Sequence, residues 1–344
     1  MKLNKPLVGI IFLLISLTLF PQSTIDSLKN VIPKLKNDSN LVNTLNRLGW
    51  EIRFNDPDTA IILSSRALAL SQKINWAKGI GRSYHQLGEY NWRLSDYSLS
   101  LDYYAKALEI WNSLEKKEPR SFKALKAATL GNIGIVYVQK GEFNKGLSYY
   151  FDALKLEEEI GNKKGIARNY GNIASLQINQ SNYVSALDYI FKALRLQEEM
   201  GLKKEVAAQY SSIGTIYFYQ YDFEKSKEYY EKALKINAEL GNKAGLALDY
   251  GYLGNVYEGK KDNIKAREYF FKAIKISEEI GNKHLVAAWR SSIGNNYFLS
   301  GQYDTALIYC LESIETAKTL QNLNDMAMHT GHLGDIYTKL KKNF

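Results

Sequence analysis

One short phrase returns along this chain at a fixed spacing. It reads E-E-I-G-N-K-K-G from Glu158, and the glycines of its successive copies are Gly161, Gly201, Gly241 and Gly281. A fixed period of this length indicates one supersecondary unit that is repeated, because each unit buries its apolar face only against its neighbours. The 344 residues therefore predict a stack of repeats instead of two or three independent domains.

Each repeat contains two helical patterns joined by a short polar turn. In the first pattern a glycine is followed three residues later by an aromatic residue, as in Gly214 and Tyr217. The second pattern opens with an aromatic residue followed by a small one, as in Tyr303 and Ala306. Apolar residues recur at spacings of three, four and seven, and no comparable stretch alternates with period two. The sequence predicts an all-α chain.

Small residues inside these helices predict close helix crossings. A glycine in a helix interior costs roughly 1 kcal/mol. We therefore expect Gly214 and Gly254 to lie where helices approach closely, with Tyr and Phe side chains filling the space between helices. Gly161 and its equivalents are predicted to end the second helices in the left-handed conformation.

The pattern L-G-x-x-Y, then Y/F-x-x-A, then Ala seven residues later resembles the tetratricopeptide repeat. The usual unit has about 34 residues. The 40-residue unit resembles the longer repeats of kinesin light chain and the exported N-terminal arrays of bacterial sensor kinases and cyclases. The resemblance implies a right-handed superhelix (an α-solenoid) of antiparallel helix pairs. It implies little about function, because one fold serves many functions.

The predicted organisation has three parts. Residues 1–22 form a signal peptide, residues 23–40 a helical N-terminal cap, and residues 41–344 the repeat array. The array contains about seven full repeats and a final half repeat. The second repeat carries an insertion near E-K-K-E-P-R, and the last repeat stops at Phe344 after its first helix.

The N-terminus predicts an exported bacterial protein, periplasmic or extracellular. Lys2 and Lys5 precede a 14-residue apolar run, Leu7 to Phe20, which has the length of a secretory h-region and is short for a membrane span. Cleavage is expected near Gln22 or Ser23, and an uncleaved signal anchor is the alternative. The single cysteine, Cys310, excludes an internal disulfide and is predicted to be a buried, inert thiol.

Neither a nucleic-acid partner nor catalysis is predicted. The formal charge of +9 is dispersed among residues of both signs, which is typical of solvated helical faces. There is no P-loop, C-x-x-C, H-E-x-x-H or G-x-S-x-G motif. His329 and His332 have a possible metal spacing, but no third ligand is evident beyond Asp325 and Asp335, which favours packing or surface roles. We therefore predict no catalytic residues, no metal and no cofactor; a metal-dependent enzyme is the rival interpretation.

The resemblance implies that the first helix of each repeat lines a concave groove. Counting the mid-helix Gly (or Ala174) as position eight, the groove positions are two, five, six, nine, twelve and thirteen. The candidate peptide-binding residues are Arg82, Trp92, Asn132, Arg168, Asn172, Phe218, Asn255 and Asn295. Asparagine amides can pair with a peptide backbone, and aromatic side chains can serve as anchors. Alternatively, the asparagines only satisfy turns and inter-helix contacts.

These features predict a non-catalytic, exported scaffold that binds a protein or peptide in the groove. The alternative is the periplasmic sensory part of a membrane signalling protein, of histidine kinase or cyclase type, whose output domain is absent from this chain.

Overall fold

The structure, a computed structural model, describes residues 22–116, 118–319 and 333–341. These residues form helices and turns, without a strand among them. The predicted signal peptide, apart from Gln22, lies outside the described residues. The histidine pair His329 and His332 lies outside them as well.

Paired helices follow one another along the described chain, which confirms the predicted all-α fold of helix pairs. Helix α1 (Gln22–Val31) and a 3-10 turn (Ile32–Lys34) come first. The next pairs are α2 (Ser39–Ile52) with α3 (Pro57–Lys73), α4 (Ala77–Arg93) with α5 (Tyr97–Glu115), α6 (Pro119–Gln139) with α7 (Phe143–Glu159), and α8 (Lys163–Asn179) with α9 (Tyr183–Glu199). They are followed by α10 (Lys203–Tyr219) with α11 (Phe223–Glu239), α12 (Lys243–Gly259) with α13 (Asn263–Glu279), and α14 (Lys283–Leu299) with α15 (Tyr303–Thr319). Residues 333–341 are also helical.

The chain divides into two compact units, Met1–Leu196 and Gln197–Phe344. Consecutive helices pack against each other from α1 to α8 in the first unit and from α10 to α15 in the second, and the first helices of neighbouring pairs also contact each other. In the first unit these first helices are α2, α4, α6 and α8, and in the second unit they are α10, α12 and α14. The second helices of neighbouring pairs meet through aromatic rings, with centroids 6.5 Å apart for Phe151 and Tyr189 and 6.3 Å apart for Phe271 and Tyr309.

Mid-helix glycines lie at helix crossings, as predicted. A Cβ atom on Gly254 would lie 2.5 Å from the ring of Phe270, and one on Gly214 would lie 3.0 Å from the ring of Tyr230. Real Cβ atoms essentially never approach a neighbour as closely as the first of these distances. The ring therefore occupies the volume that a side chain at Gly254 would need.

Stacked tyrosines join the two helices of a pair. Tyr137 of α6 stacks on Tyr149 of α7 with ring centroids 5.4 Å apart, and Tyr257 stacks on Tyr269 at 5.2 Å. Tyr150, the neighbour of Tyr149, is buried in the core. The adjacent tyrosines therefore serve inter-helix packing, as the sequence predicted.

The turns after the second helices have the predicted left-handed glycines. Gly161 has φ +65°, and Gly201, Gly241 and Gly281 have φ between +61° and +67°. The amide of Asn162 donates to the carbonyl of Glu157 at 2.9 Å, which is the hydrogen bond that closes a Schellman motif. The helix therefore ends at a defined residue in each repeat.

The insertion predicted in the second repeat lengthens helices. Helix α5 has 19 residues and α6 has 21, compared with 17 in α8. Pro119 occupies the first turn of α6, where a missing N–H costs no hydrogen bond. The repeat therefore keeps its crossing geometry despite the longer sequence.

Candidate functional site

The first helices form one continuous layer within each compact unit, because each contacts the next first helix. The groove positions predicted from the sequence lie on these helices or at their C-terminal ends. We call the side chains at positions two, five, six, nine, twelve and thirteen the first-helix face. All eight candidate residues belong to it.

Two predicted arginines on this face already have internal partners. Arg82 donates from Nη1 to Asn43 Oδ1 at 3.2 Å. Arg168, which is exposed, donates from Nη2 to Glu157 Oε1 at 3.2 Å. Burial raises the pKa of Glu157, and the bond from Asn162 together with the charge of Arg168 opposes that shift. Arg168 therefore stabilises a buried carboxylate in addition to any role in binding.

Asn132 lies beside a buried imidazole. Its Nδ2 is 3.4 Å from His85 Nε2, and His85 Nδ1 is 2.9 Å from Thr129 Oγ1. The imidazole packs edge-on against Tyr104 with centroids 5.5 Å apart. Burial, reinforced by the charge of Arg168, lowers the pKa of His85 to about 4. The imidazole is therefore neutral at neutral pH and links α4 to α6.

The three later asparagines differ in how their amides are used. Asn295 donates from Nδ2 to Glu258 Oε2 at 3.4 Å, and Asn296 donates to the other oxygen at 3.0 Å. Burial raises the pKa of Glu258, and these two amides oppose the shift. In contrast, Asn172 and Asn255 are half-buried and their side chains make no hydrogen bond to any described residue.

The two predicted aromatic anchors are partly used in packing. Trp92 packs against the cluster that contains Tyr104, and Phe218 packs against the cluster that contains Tyr230. The ring centroids of Phe218 and Phe223 are also 5.8 Å apart. Both candidate side chains remain half-buried, so a part of each is still accessible.

The predicted residue Trp92 belongs to a group of side chains at the C-terminal ends of α2 and α4, of which the sequence reasoning missed the members from the end of α2. We call it the arginine–aromatic cluster, and its members are Trp50, Arg53, Phe54, Glu89, Trp92 and Arg93. The Arg53 guanidinium lies 3.6 Å from the Trp50 ring centroid and 4.2 Å from that of Phe54. The Arg93 guanidinium also lies 4.2 Å from the Phe54 ring centroid. Applying the position count to Gly49 would have placed Trp50, Arg53 and Phe54 on the same face.

Charge is unevenly distributed over the first-helix face. In the first compact unit this face carries five of the ten arginines in the chain and one carboxylate, that of Glu89; the arginines are Arg47, Arg53, Arg82, Arg93 and Arg168. In the second unit the same positions of α10, α12 and α14 carry no lysine or arginine and one carboxylate, that of Glu258. The arginines suit planar, multi-donor recognition better than lysines would.

No group of three metal-ligating side chains comes together within the described ranges. Among the described residues, no helix has both the length and the apolar character needed to cross a membrane. Cys310 is buried at 2% exposure, as predicted, and burial raises the pKa of its thiol.

Family models for the tetratricopeptide repeat match residues 81–110, 205–279 and 246–319. The helix pairs of these stretches are therefore tetratricopeptide repeats, as the sequence pattern indicated. A comparison with curated protein sequences gives no significant match.

Several solved structures have a similar fold. The apo form of the quorum sensor NprR from B. thuringiensis is 15% identical with a TM-score of 0.67, over 86% of this chain and 81% of that chain. Aspartyl phosphate phosphatase F from Bacillus subtilis is 16% identical with a TM-score of 0.63, over 88% and 76%. A Rap protein complexed with competence and sporulation factor is 16% identical with a TM-score of 0.54, over 94% and 98%. Identities this low establish similarity of fold alone.

Proposed function

We propose that this chain is a non-catalytic scaffold whose first-helix face binds a protein or peptide segment. The observation that carries the proposal is the state of Asn172 and Asn255, whose half-buried amides make no hydrogen bond to a described residue. These half-buried amides remain accessible to solvent, and an amide offers both a donor and an acceptor to an extended backbone. A segment bound on the first-helix face of either compact unit would replace water at these groups.

The comparisons support a binding role without deciding the ligand. A Rap protein of similar fold has been solved in complex with competence and sporulation factor. Another protein of similar fold is named an aspartyl phosphate phosphatase, so the fold by itself does not decide whether a chain is catalytic. The proposal of a non-catalytic role rests on the sequence, which offers no catalytic motif.

The test is capture of a partner by the purified chain and by the double variant Asn172→Ala, Asn255→Ala. Each lost hydrogen bond to a ligand costs about 0.5–1.5 kcal/mol, so together they should weaken capture roughly tenfold or more. Because neither amide has an internal partner, helicity and melting temperature should not change.

The control pair is Lys232→Ala with Lys272→Ala on the second helices. These lysines lie over Tyr229 and Tyr269, and their removal should leave capture intact. The opposite pattern, with capture lost in the lysine variant and kept in the asparagine variant, would move the binding surface to the second helices and end this proposal.

We also propose that the chain is exported, on the strength of Lys2, Lys5 and the apolar run that follows them. Sequencing the N-terminus of the protein from an exported fraction should find a start near Gln22 or Ser23. An intact Met1 in the membrane fraction would instead indicate an uncleaved anchor, and recovery in the cytoplasm would contradict export.

A further inference from the structure

Two guanidinium groups share one carboxylate oxygen in the arginine–aromatic cluster. Arg93 donates from Nε and Nη2 to Glu89 Oε1 at 3.3 and 3.0 Å, and Arg53 Nε lies 3.6 Å from the same oxygen. Glu51 is a further carboxylate near Arg53, but its buried Oε2 makes no hydrogen bond. The paired groups therefore comprise two cations and one anion.

Several N–H groups of these arginines have no acceptor. Arg53 Nε is buried without a hydrogen bond, and Arg53 Nη1 donates to the carbonyl of Trp50. Arg53 Nη2 and Arg93 Nη1 make no hydrogen bond to a described residue. Of these donors Arg53 Nε is the one that is fully buried, and the Arg53 side chain as a whole is 10% exposed. A desolvated charged donor gains strongly from an acceptor.

The rings hold both guanidinium groups in fixed planes. Arg53 lies 3.6 Å from the Trp50 ring centroid and 4.2 Å from that of Phe54, and Arg93 lies 4.2 Å from Phe54 and 5.4 Å from Trp92. A guanidinium held in this way loses little side-chain entropy when it binds a ligand. Its planar fork matches the two oxygens of a carboxylate.

We propose that the arginine–aromatic cluster binds a carboxylate side chain of an acidic peptide segment. The inference rests on the proposed function, and it names the chemistry of the partner. It is supported by charge complementarity, because the first-helix face of this compact unit carries five arginines and a single glutamate. In the free protein Glu89 accepts hydrogen bonds from Nε and Nη2 of Arg93. Glu89 therefore competes with the ligand for these donors.

The test measures binding of fluorescein-labelled hexaglutamate by anisotropy, with hexaglutamine as the neutral probe. Trp50 and Trp92 provide a second readout, because a ligand on the cluster should change the tryptophan emission. Arg53→Gln should weaken hexaglutamate binding by about tenfold or more, since charged hydrogen bonds are the strong ones. Arg66→Gln is the matched control, because it removes the same charge from an exposed position of α3 in the same repeat, and binding should not change.

A second variant distinguishes a binding role from a merely structural one. Glu89→Gln removes the internal competitor and should tighten hexaglutamate binding, on the order of tenfold. If Glu89 only positioned Arg93 for the fold, the same change would weaken binding or leave it unaltered. Arg53→Lys keeps the charge but loses the planar fork, and it should bind nearly as weakly as Arg53→Gln.

The proposal is overturned if Arg53→Gln and Arg66→Gln weaken binding equally, because the attraction would then be general to the charge of the protein. It is also overturned if inorganic phosphate, at matched ionic strength, binds as tightly as hexaglutamate. Partner capture separates the two proposals. Capture that survives Arg53→Gln but is lost in the Asn172→Ala, Asn255→Ala variant would remove this inference and leave the proposed function standing.

Discussion

A glycine and the ring that faces it are the elementary packing unit of this chain. A Cβ atom on Gly88 would lie 2.7 Å from the Tyr104 ring, and one on Gly134 would lie 2.6 Å from the Tyr150 ring. In both pairs the ring follows the glycine at the same spacing along the chain. Each ring is buried, so the missing side chain on one helix is replaced by an aromatic side chain from the next.

Three repeats depart from this pairing, and in the first of them Gly49 faces Ser64 of α3 instead of a ring. Ala174 takes the place of the glycine in the fourth repeat, and Ile190 occupies the position where other repeats have a ring. Gly294 pairs by position with Cys310, and the two line a cavity of about 30 Å³.

Substitution of a mid-helix glycine should lower the free energy of unfolding where a neighbouring ring crowds the position, and it should raise the free energy of unfolding where the position is open. Gly254→Leu should lower the free energy of unfolding by about 1–3 kcal/mol, because the new side chain overlaps the Phe270 ring. Gly131→Ala should raise it by about 0.5–1 kcal/mol, because the nearest atom to the new Cβ is Asn169 Oδ1 at 3.5 Å. Denaturant midpoints measure both, and equal effects of the two changes would contradict this packing.

At the scale of the helix, the repeated phrase G-N-K marks the end of one helix and the beginning of the next. The glycine ends one helix, and the asparagine caps the next. Asn162 Oδ1 accepts from the amide of Gly165 at 3.3 Å, and Asn282 Oδ1 accepts from that of Leu285 at 3.1 Å. Leu202 occupies the cap position of α10 and provides no side-chain hydrogen bond. The glycine pattern predicted the stop, whereas the cap became evident only in the structure.

Leu202→Asn should therefore stabilise the protein. An asparagine at the N-cap satisfies an amide that leucine leaves unpaired, and such caps contribute about 1 kcal/mol. The reciprocal change, Asn242→Leu, removes the bond to the amide of Gly245 and should destabilise by a similar amount. Thermal melting monitored by circular dichroism would decide. A fall in melting temperature for Leu202→Asn would mean that packing of the leucine outweighs the cap.

At the scale of the whole molecule, stability is expected to be a sum of repeat and nearest-neighbour terms. In the part of each compact unit that the structure describes, the helix contacts are between close neighbours along the chain. Such an arrangement has no long-range contact that a missing repeat would break. One full repeat period, such as the stretch from Gly201 to Gly241, should therefore be the length that the chain can lose without a change of fold.

Deletion of 203–242, one full period, should leave a soluble protein that remains helical and melts cooperatively. Deletion of 203–222 should not, because it removes the first helix of a pair and joins two second helices in succession. Circular dichroism melting of both deletions tests the register. Equal stability of the two proteins would show that the repeat boundary lies elsewhere.

Much of the fold follows from local periodicity. Spacings of three, four and seven determine helices, and the glycines of the repeated phrase determine where the second helices end. The same spacing argument holds only in part at the turn inside each repeat, where Gly141 and Gly301 have φ of +79° and +76° but Ser181, Tyr221 and Lys261 adopt φ values of 61–63° without being glycine. Local propensity does not predict the left-handed conformation of these three residues, because the packing of the two helices around the turn imposes it.

The sequence by itself determined the repeat, the helix pairs and the face on which the first helices present polar side chains. Tertiary structure alone decided how those side chains are used. It gives Asn295 a partner in Glu258 and leaves the amide of Asn255 without one, although the two occupy equivalent positions. It also brings Arg53 and Arg93 to the same carboxylate oxygen. The physical reason is that periodicity is a local property, whereas the partner of a polar side chain depends on residues a full repeat away in the chain.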